Sequence, residues 1–218
     1  MRNELMQDLQ LCCNLLAPLL LEDPARPALA PLLRRLAAAD AAQLAGEWPL
    51  CRLGAEDALE TACAQLVDGA RLALDQPLLV SRSFHHLFVG PAHLAAPPWG
   101  SVYTDHEKVR FGESCLDLHL WMRRQGIERL TDETEPADHI GRLLSLLSWI
   151  AAQRPGLVEE YLREHVLTWS HHYFELLAPV AQAEGCPLYC AVGMLADELL
   201  LSAQERMGLE IRYPRYFM

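Results

Sequence analysis

The sequence predicts an all-α protein: a helical bundle of about eight or more helices forming a single domain over residues 1–218, with one long functional loop. Three observations carry that expectation. Apolar residues recur at three- and four-residue spacing along most of the chain, whereas strand-like alternation is scarce. Proline and glycine fall mainly between the periodic runs, where they end helices or start them. With 218 residues, 51% hydrophobic and 22% charged, the chain has enough apolar matter for a core at ordinary globular composition.

The first predicted helix carries Leu5, Leu9, Cys12, Leu16 and Leu19 on one face after a cap at Asn3. A second, irregular helical region starts at Asp23-Pro24, contains Pro27 and Pro31, and ends before Gly46 to Pro49. Leu59, Cys63, Leu66, Ala70 and Leu74 then define a helix over 55–74 that stops at Asp75-Gln76-Pro77. A short helix follows and reaches Phe88. From Val89 to Ser114 the period disappears, which predicts a loop punctuated by Gly90, Pro91, Pro97, Pro98, Gly100 and Gly112. Loops of that length in compact domains are functional or disordered, and Trp99, Tyr103 and Phe111 argue for function. Ser114 and Asp117 suggest a capping-box start for the next helix, which Gly126 ends. Ile140, Leu143, Leu144, Leu147, Ile150 and Ala151 mark an apolar central helix stopped by Pro155-Gly156. Helical segments over 157–183, with a break expected near Pro179, and over 187–207 precede an aromatic tail from Tyr213 to Phe217.

Charge and motifs narrow the chemistry. Lys and Arg total 18 against 29 Asp and Glu, a net −11 that repels nucleic-acid backbones and favours cationic partners. Acids near the N-terminus stand where an export signal carries basic residues, and no apolar run approaches the ~20 residues of a membrane span. The expectation is a cytoplasmic protein without membrane insertion. Seven cysteines at irregular positions suit reduced thiols. Lys108 is the single lysine, and no P-loop, His-Glu-x-x-His, Gly-x-Ser-x-Gly or Cys-x-x-Cys occurs, so the common enzyme classes lack their signatures. No cofactor is expected. Cys186 and Cys190 lie one helical turn apart but lack further ligands, so buried apolar thiols suit them better than a metal. His165, Trp169 and His172 would share one helical face, and His85-His86 and His171-His172 point apart.

Two segments carry more specific chemistry. In Phe84-His85-His86-Leu87-Phe88-Val89-Gly90-Pro91 and Ala95-Ala96-Pro97-Pro98-Trp99-Gly100-Ser101, consecutive prolines stiffen the backbone before an indole. Such a Trp either walls a lipophilic peptide groove or plugs the loop onto the core. In Glu135-Pro136-Ala137-Asp138-His139, Asp138 falls at a helix start, where its charge suits the dipole and an i, i+4 pair with Arg142. An acid/base hydrolase reading of Asp138 and His139 lacks a nucleophile.

Together with Phe111-Gly112-Glu113-Ser114, these two segments closely resemble the TorD/DmsD/NarJ family of redox-enzyme maturation chaperones, above all its DmsD branch, over about residues 84–150. The resemblance implies a non-enzymatic chaperone that binds the twin-arginine leader of a molybdenum-cofactor oxidoreductase, a DMSO reductase-like subunit, before Tat export. Leu87, Phe88, Pro97, Pro98, Trp99, Gly112, Pro136, Asp138 and His139 would form the leader-binding surface. Implied partners are that leader, the apo form of the client and components of the Tat translocon, with the chaperone a monomer or an exchange dimer. The alternative client is a TMAO or nitrate reductase-type subunit gripped by its apoenzyme body. Relatives of TorD often carry a Glu one turn after the Asp-His, where Arg142 and Leu143 stand here, which argues against the TMAO enzyme.

Overall fold

A computed structural model of the chain describes residues 2–52, 54–90, 94–106, 112–128, 136–214 and 216. Phe111, Glu135 and Phe217, which the sequence reading used, lie outside them, as do Pro91 and Lys108. The protein is all-α. Among the described residues there are eleven α-helices: α1 Arg2–Leu21, α2 Ala30–Ala37, α3 Ala41–Glu47, α4 Glu56–Asp75, α5 Pro77–Phe84, α6 Gly100–Thr104, α7 Glu113–Arg124, α8 Ile140–Gln153, α9 Val158–Tyr161, α10 Ser170–Ala183 and α11 Pro187–Met207.

Local chemistry sets many boundaries. Asp40 caps α3 by accepting the Gln43 N–H at 2.8 Å, and Pro77 and Pro187 occupy the first positions of α5 and α11. Gly208 ends α11 in the left-handed region at φ 62°, and Gly126 follows α7 at φ 65° with the Ile127 N–H returning to Met122 O. The long helices pack as α1 against α8 and α11, α4 against α11, α2 and α3, and α10 against α11. Glycines permit the tightest approaches. A Cβ on Gly141 would lie 2.7 Å from Leu21 Cγ, and one on Gly69 would collide with the Leu188 backbone. Fully buried Leu9, Leu16, Leu66, Leu144, Leu147 and Leu199 lie in the continuous apolar core.

Several expectations need correction. The irregular second helix is two helices, α2 and α3, preceded by turns over 24–29. Asn3 lies inside α1 and does not cap it. The long loop is interrupted by α6, whose five residues are too few to show a period. The start of α7 is not a capping box on Ser114: Gly112 is the N-cap, and Asp105 accepts the Ser114 N–H at 3.2 and 3.3 Å. α10 runs through Pro179, and the break in the 157–183 region falls instead at 167–169. Two π-helical turns, His85–Val89 and Leu162–Val166, add a residue to the helical register at places no side-chain pattern announces.

A clasp between two pockets

The structure joins the two segments singled out in the sequence by main-chain pairing. Trp99 and His139 form an isolated antiparallel bridge, the Ile140 N–H donates to Pro98 O at 2.8 Å, and the Gly100 N–H donates to Asp138 O at 3.2 Å. Asp138 adds a side-chain link, its Oδ2 accepting the Ser101 N–H at 2.7 Å. The carboxylate therefore sits at the N-terminal end of α6. Asp138 precedes α8 by two residues and does not lie in its first turn, so the helical pairing expected with Arg142 gives way to the bond with Ser101. His139 is the N-cap of α8, its Nδ1 accepting the Gly141 N–H at 3.1 Å. Because Asp138 turns to Ser101 and His139 to Gly141, the hydrolase arrangement of an acid orienting a base is not assembled.

Of the two alternatives for Trp99, the structure takes the plug: the ring is 3% exposed and meets the His139 imidazole edge-on at 6.0 Å. Leu87 and Phe88 are also buried, Phe88 against Phe84 and Tyr189 at 5.4 and 5.2 Å. Pro97, Pro98 and Pro136 are buried beside the clasp. Gly112 has a different task. A Cβ there would strike the Asp105 carboxylate that caps α7. Gly100 likewise admits the Trp169 ring, which stacks on Tyr103 at 5.5 Å.

Asp138 and His139, adjacent in sequence, face different hollows. His139 and Phe88 line a groove of about 770 Å³ between α1, the first π-turn and α8. Phe84, Met122 and Ile127 add apolar floor, while Val89 and Trp149 stand 45% and 42% exposed on its rim. Glu22, Asp23 and Glu128 make part of the rim acidic, and Asp23 and Glu184 face the imidazoles of His85 and His86 at 3.7 and 3.2 Å. Asp138 lines a second pocket, of about 460 Å³, with Ser114 and Asp117 from α7 and Glu164 and His165 from the second π-turn. A third hollow borders both along α7: it shares Met122, Ile127 and Glu128 with the groove and Leu120 with the pocket. Leu116 and Leu120, 56% and 45% exposed, continue the apolar track there.

Burial controls the titration of the second pocket. It raises the Asp138 carboxyl above the usual carboxylate range, with the Ser101 N–H pulling the other way. It lowers His165 to about 4, against the opposing charges of Asp117 and Glu160, so the imidazole is neutral at physiological pH. Ser114 Oγ and His165 Nε2 are buried without a protein hydrogen-bond partner, whereas the Ser101 and Cys115 side chains lie against the Asp138 carboxyl and favour its charged form. Among the described residues, no group of three or more His, Cys, Asp or Glu is placed to hold a metal ion. No helix there is long and apolar enough to cross a membrane.

Sequence reasoning singled out both segments of the clasp but not their pairing, and missed Trp149, Val89, Ser114 and His165 as pocket walls. Trp149 was legible in part, since it falls outside the apolar face defined by Leu143, Leu147 and Ile150. The others depend on the π-turns and on the docking of α7.

The all-helical chain thus clasps its loop to the start of α8, with a groove on one side of the clasp and a pocket on the other. Residues 54–175 match the model of the nitrate reductase delta subunit family, and the chain belongs to that family. It is 37% identical over 138 residues to a probable Tat proofreading chaperone DmsD of Haemophilus influenzae, covering 63% of this chain and 66% of that protein. Against the Tat proofreading chaperone DmsD of Salmonella typhimurium it is 38% identical over 131 residues, 60% of this chain and 63% of the relative. The chain thus spans just under two thirds of the length of these relatives. The chaperone protein YcdY of Escherichia coli is 27% identical over 168 residues, 75% and 78% of the two chains.

Proposed function

We propose that this protein is a cytoplasmic maturation chaperone that binds the twin-arginine leader of a molybdoenzyme, a DMSO reductase-like subunit, before its export. The observation that carries the reading is the pair of hollows beside α7: a groove with apolar residues at Phe88 and Trp149, and a pocket holding a buried carboxylate. A leader that joins an arginine pair to an apolar stretch has the complementary chemistry, and the net charge of −11 favours its approach. The names of the relatives, Tat proofreading chaperones, support the same client class.

The peptide-binding residues proposed are Leu87, Phe88, Pro97, Pro98, Trp99, Gly112, Pro136, Asp138 and His139, with roles divided by burial. Phe88 and His139 face the groove, and Asp138 faces the second pocket. Leu87, Trp99 and the prolines hold the walls from beneath, and Gly112 admits the Asp105 cap that fixes α7. Trp149 and Val89 join the set as exposed apolar contacts. Apolar burial at about 25 cal/mol per Å² supplies most of the affinity, and charge-assisted bonds to the arginines supply orientation.

Calorimetry with a synthetic twin-arginine leader from a neighbouring molybdoenzyme gene tests the reading. Micromolar or tighter binding that weakens when both arginines become alanine is the expected result. Absence of binding to every candidate leader, or equal affinity for the arginine-free peptide, refutes it.

A further inference from the structure

Part of the wall of the second pocket comes from the segment that follows α11. Arg212 and Pro214 line that pocket, and Gly208, Glu210 and Ile211 of the same segment line a neighbouring hollow of about 810 Å³. Leu209 ties the start of the segment to α11: it is buried, its N–H donates to Gln204 O at 3.0 Å, and its carbonyl accepts from Gln204 Nε2 at 3.3 Å. Tyr216 ties it down a second time. Its hydroxyl donates to Thr168 O at 2.9 Å, and its ring lies on the His172 imidazole at 4.4 Å with 9° between the planes. Thr168 itself lines the second pocket, so this tie sits on the pocket wall. Between the two ties Arg212 and Tyr213 are exposed and Ile211 is half-buried. Among the described residues, no main-chain hydrogen bond holds 210–214 to the body.

We infer that residues 209–214 are a strap along the second pocket, hinged at Gly208 and Leu209 and latched by Tyr216, and that release of the latch opens the pocket to solvent. The two ties differ in kind. Leu209 continues the main-chain bonding of α11 past the left-handed turn at Gly208, so it stays with the helix. Tyr216 holds by a side chain alone, and segments with few buried contacts and exposed backbone open at the low end of a protein's stability range. One neutral hydrogen bond and one ring pair favour the closed strap by on the order of 100-fold, so the lifted form is a minor state of about 1%. Beneath the latch, His172 also meets Tyr103 edge-on at 5.9 Å, and α10, which carries it, packs on α11. The imidazole therefore keeps a support when Tyr216 leaves. The device concerns access alone and holds for whatever occupant the pocket takes.

The test uses the full chain and a soluble gadolinium chelate as the probe of access. Paramagnetic relaxation is read by NMR at the Trp169 indole N–H and the Ser114 amide, both in the pocket wall, with the Trp149 indole in the groove as control. Tyr216→Ala removes both contacts of the latch and is expected to raise relaxation at Trp169 and Ser114 about threefold or more, with Trp149 unchanged. Tyr216→Phe keeps the ring pair and loses the hydrogen bond, so its rise is smaller. Cleavage by trypsin after Arg212, which needs the lifted form, should follow the same order and increase at least about tenfold in Tyr216→Ala. Equal relaxation and equal cleavage in the native protein and both variants would overturn the strap. A rise at Trp149 matching that at Trp169 in both variants would overturn it too, because it reports loosening of the whole fold and not of one wall.

Discussion

Replacing Trp149 by alanine separates groove contacts from fold stability, which Trp99, the more obvious tryptophan, cannot do. Trp99 is 3% exposed, and truncating so buried an indole costs about 3–5 kcal/mol of stability, so any loss of binding would be confounded with unfolding. Trp149 is 42% exposed on the groove rim. Taking about 200 Å² for the whole side chain, a peptide that covers the exposed part hides about 85 Å², worth about 2 kcal/mol and roughly 30-fold in affinity. Calorimetry with the leader peptide, beside a thermal melt of the free protein, gives both readouts. The expected result is a dissociation constant raised about 30-fold, independent of salt, with a melting temperature close to wild type. Unchanged affinity in a folded Trp149→Ala protein would refute the placement of the apolar segment in this groove.

Other outcomes follow from the same geometry. Gly112→Ala forces the Asp105 carboxylate away from the start of α7, which should lower stability by about 1–2 kcal/mol, read as a shifted urea midpoint. His165 has a folded-state pKa of about 4, below the ordinary 6.5, so its contribution is complete above pH 6.5 and is lost as pH falls towards 4. Asp138 and Asp197, both raised, act in the opposite sense: their contribution favours the fold at low pH and is lost as pH rises through their folded values. His165→Gln should therefore flatten the loss of stability between pH 6.5 and 4 in denaturant titrations. For the native protein, a disulfide-exchange reagent should modify the partly exposed Cys51 and Cys190 first. Cys13 and Cys12, the latter pushed up to about 12 by burial, should react only on unfolding, as a peptide map would show.

Where the sequence was readable, the signal was local. Pro187 and Gly208 bracket α11, and Pro77 separates α4 from α5, because these residues act through their own backbone angles. α6 was not readable for the opposite reason. Gly100 accepts the Trp169 ring and Ser101 the Asp138 carboxylate, so five residues become helical through partners 37 to 69 positions away. The cap of α7 shows the same limit: Asp105 lies nine residues before the amide it binds. The candidate site was legible as a set of residues but not as a surface. Composition marks Leu87, Phe88 and Trp99 as apolar, and only packing shows that these three are buried while Trp149 and Val89 are exposed. The order of two neighbours along the chain likewise did not reveal that Asp138 and His139 open onto different hollows.

The clasp is made largely of peptide groups: Pro98, Gly100 and Ile140 contribute carbonyls and N–H groups, and Asp138 fastens to a main-chain N–H. Peptide groups are the same whatever side chain they carry. The rim residues Val89, Trp149 and His85 make none of these clasp bonds, so mutation can alter the shape and charge of the groove while leaving its frame intact. On the proposed leader-binding reading, a lineage can thus pass from one peptide to another by small changes at the rim, each step folding as well as the last, with peptide choice drifting independently of stability.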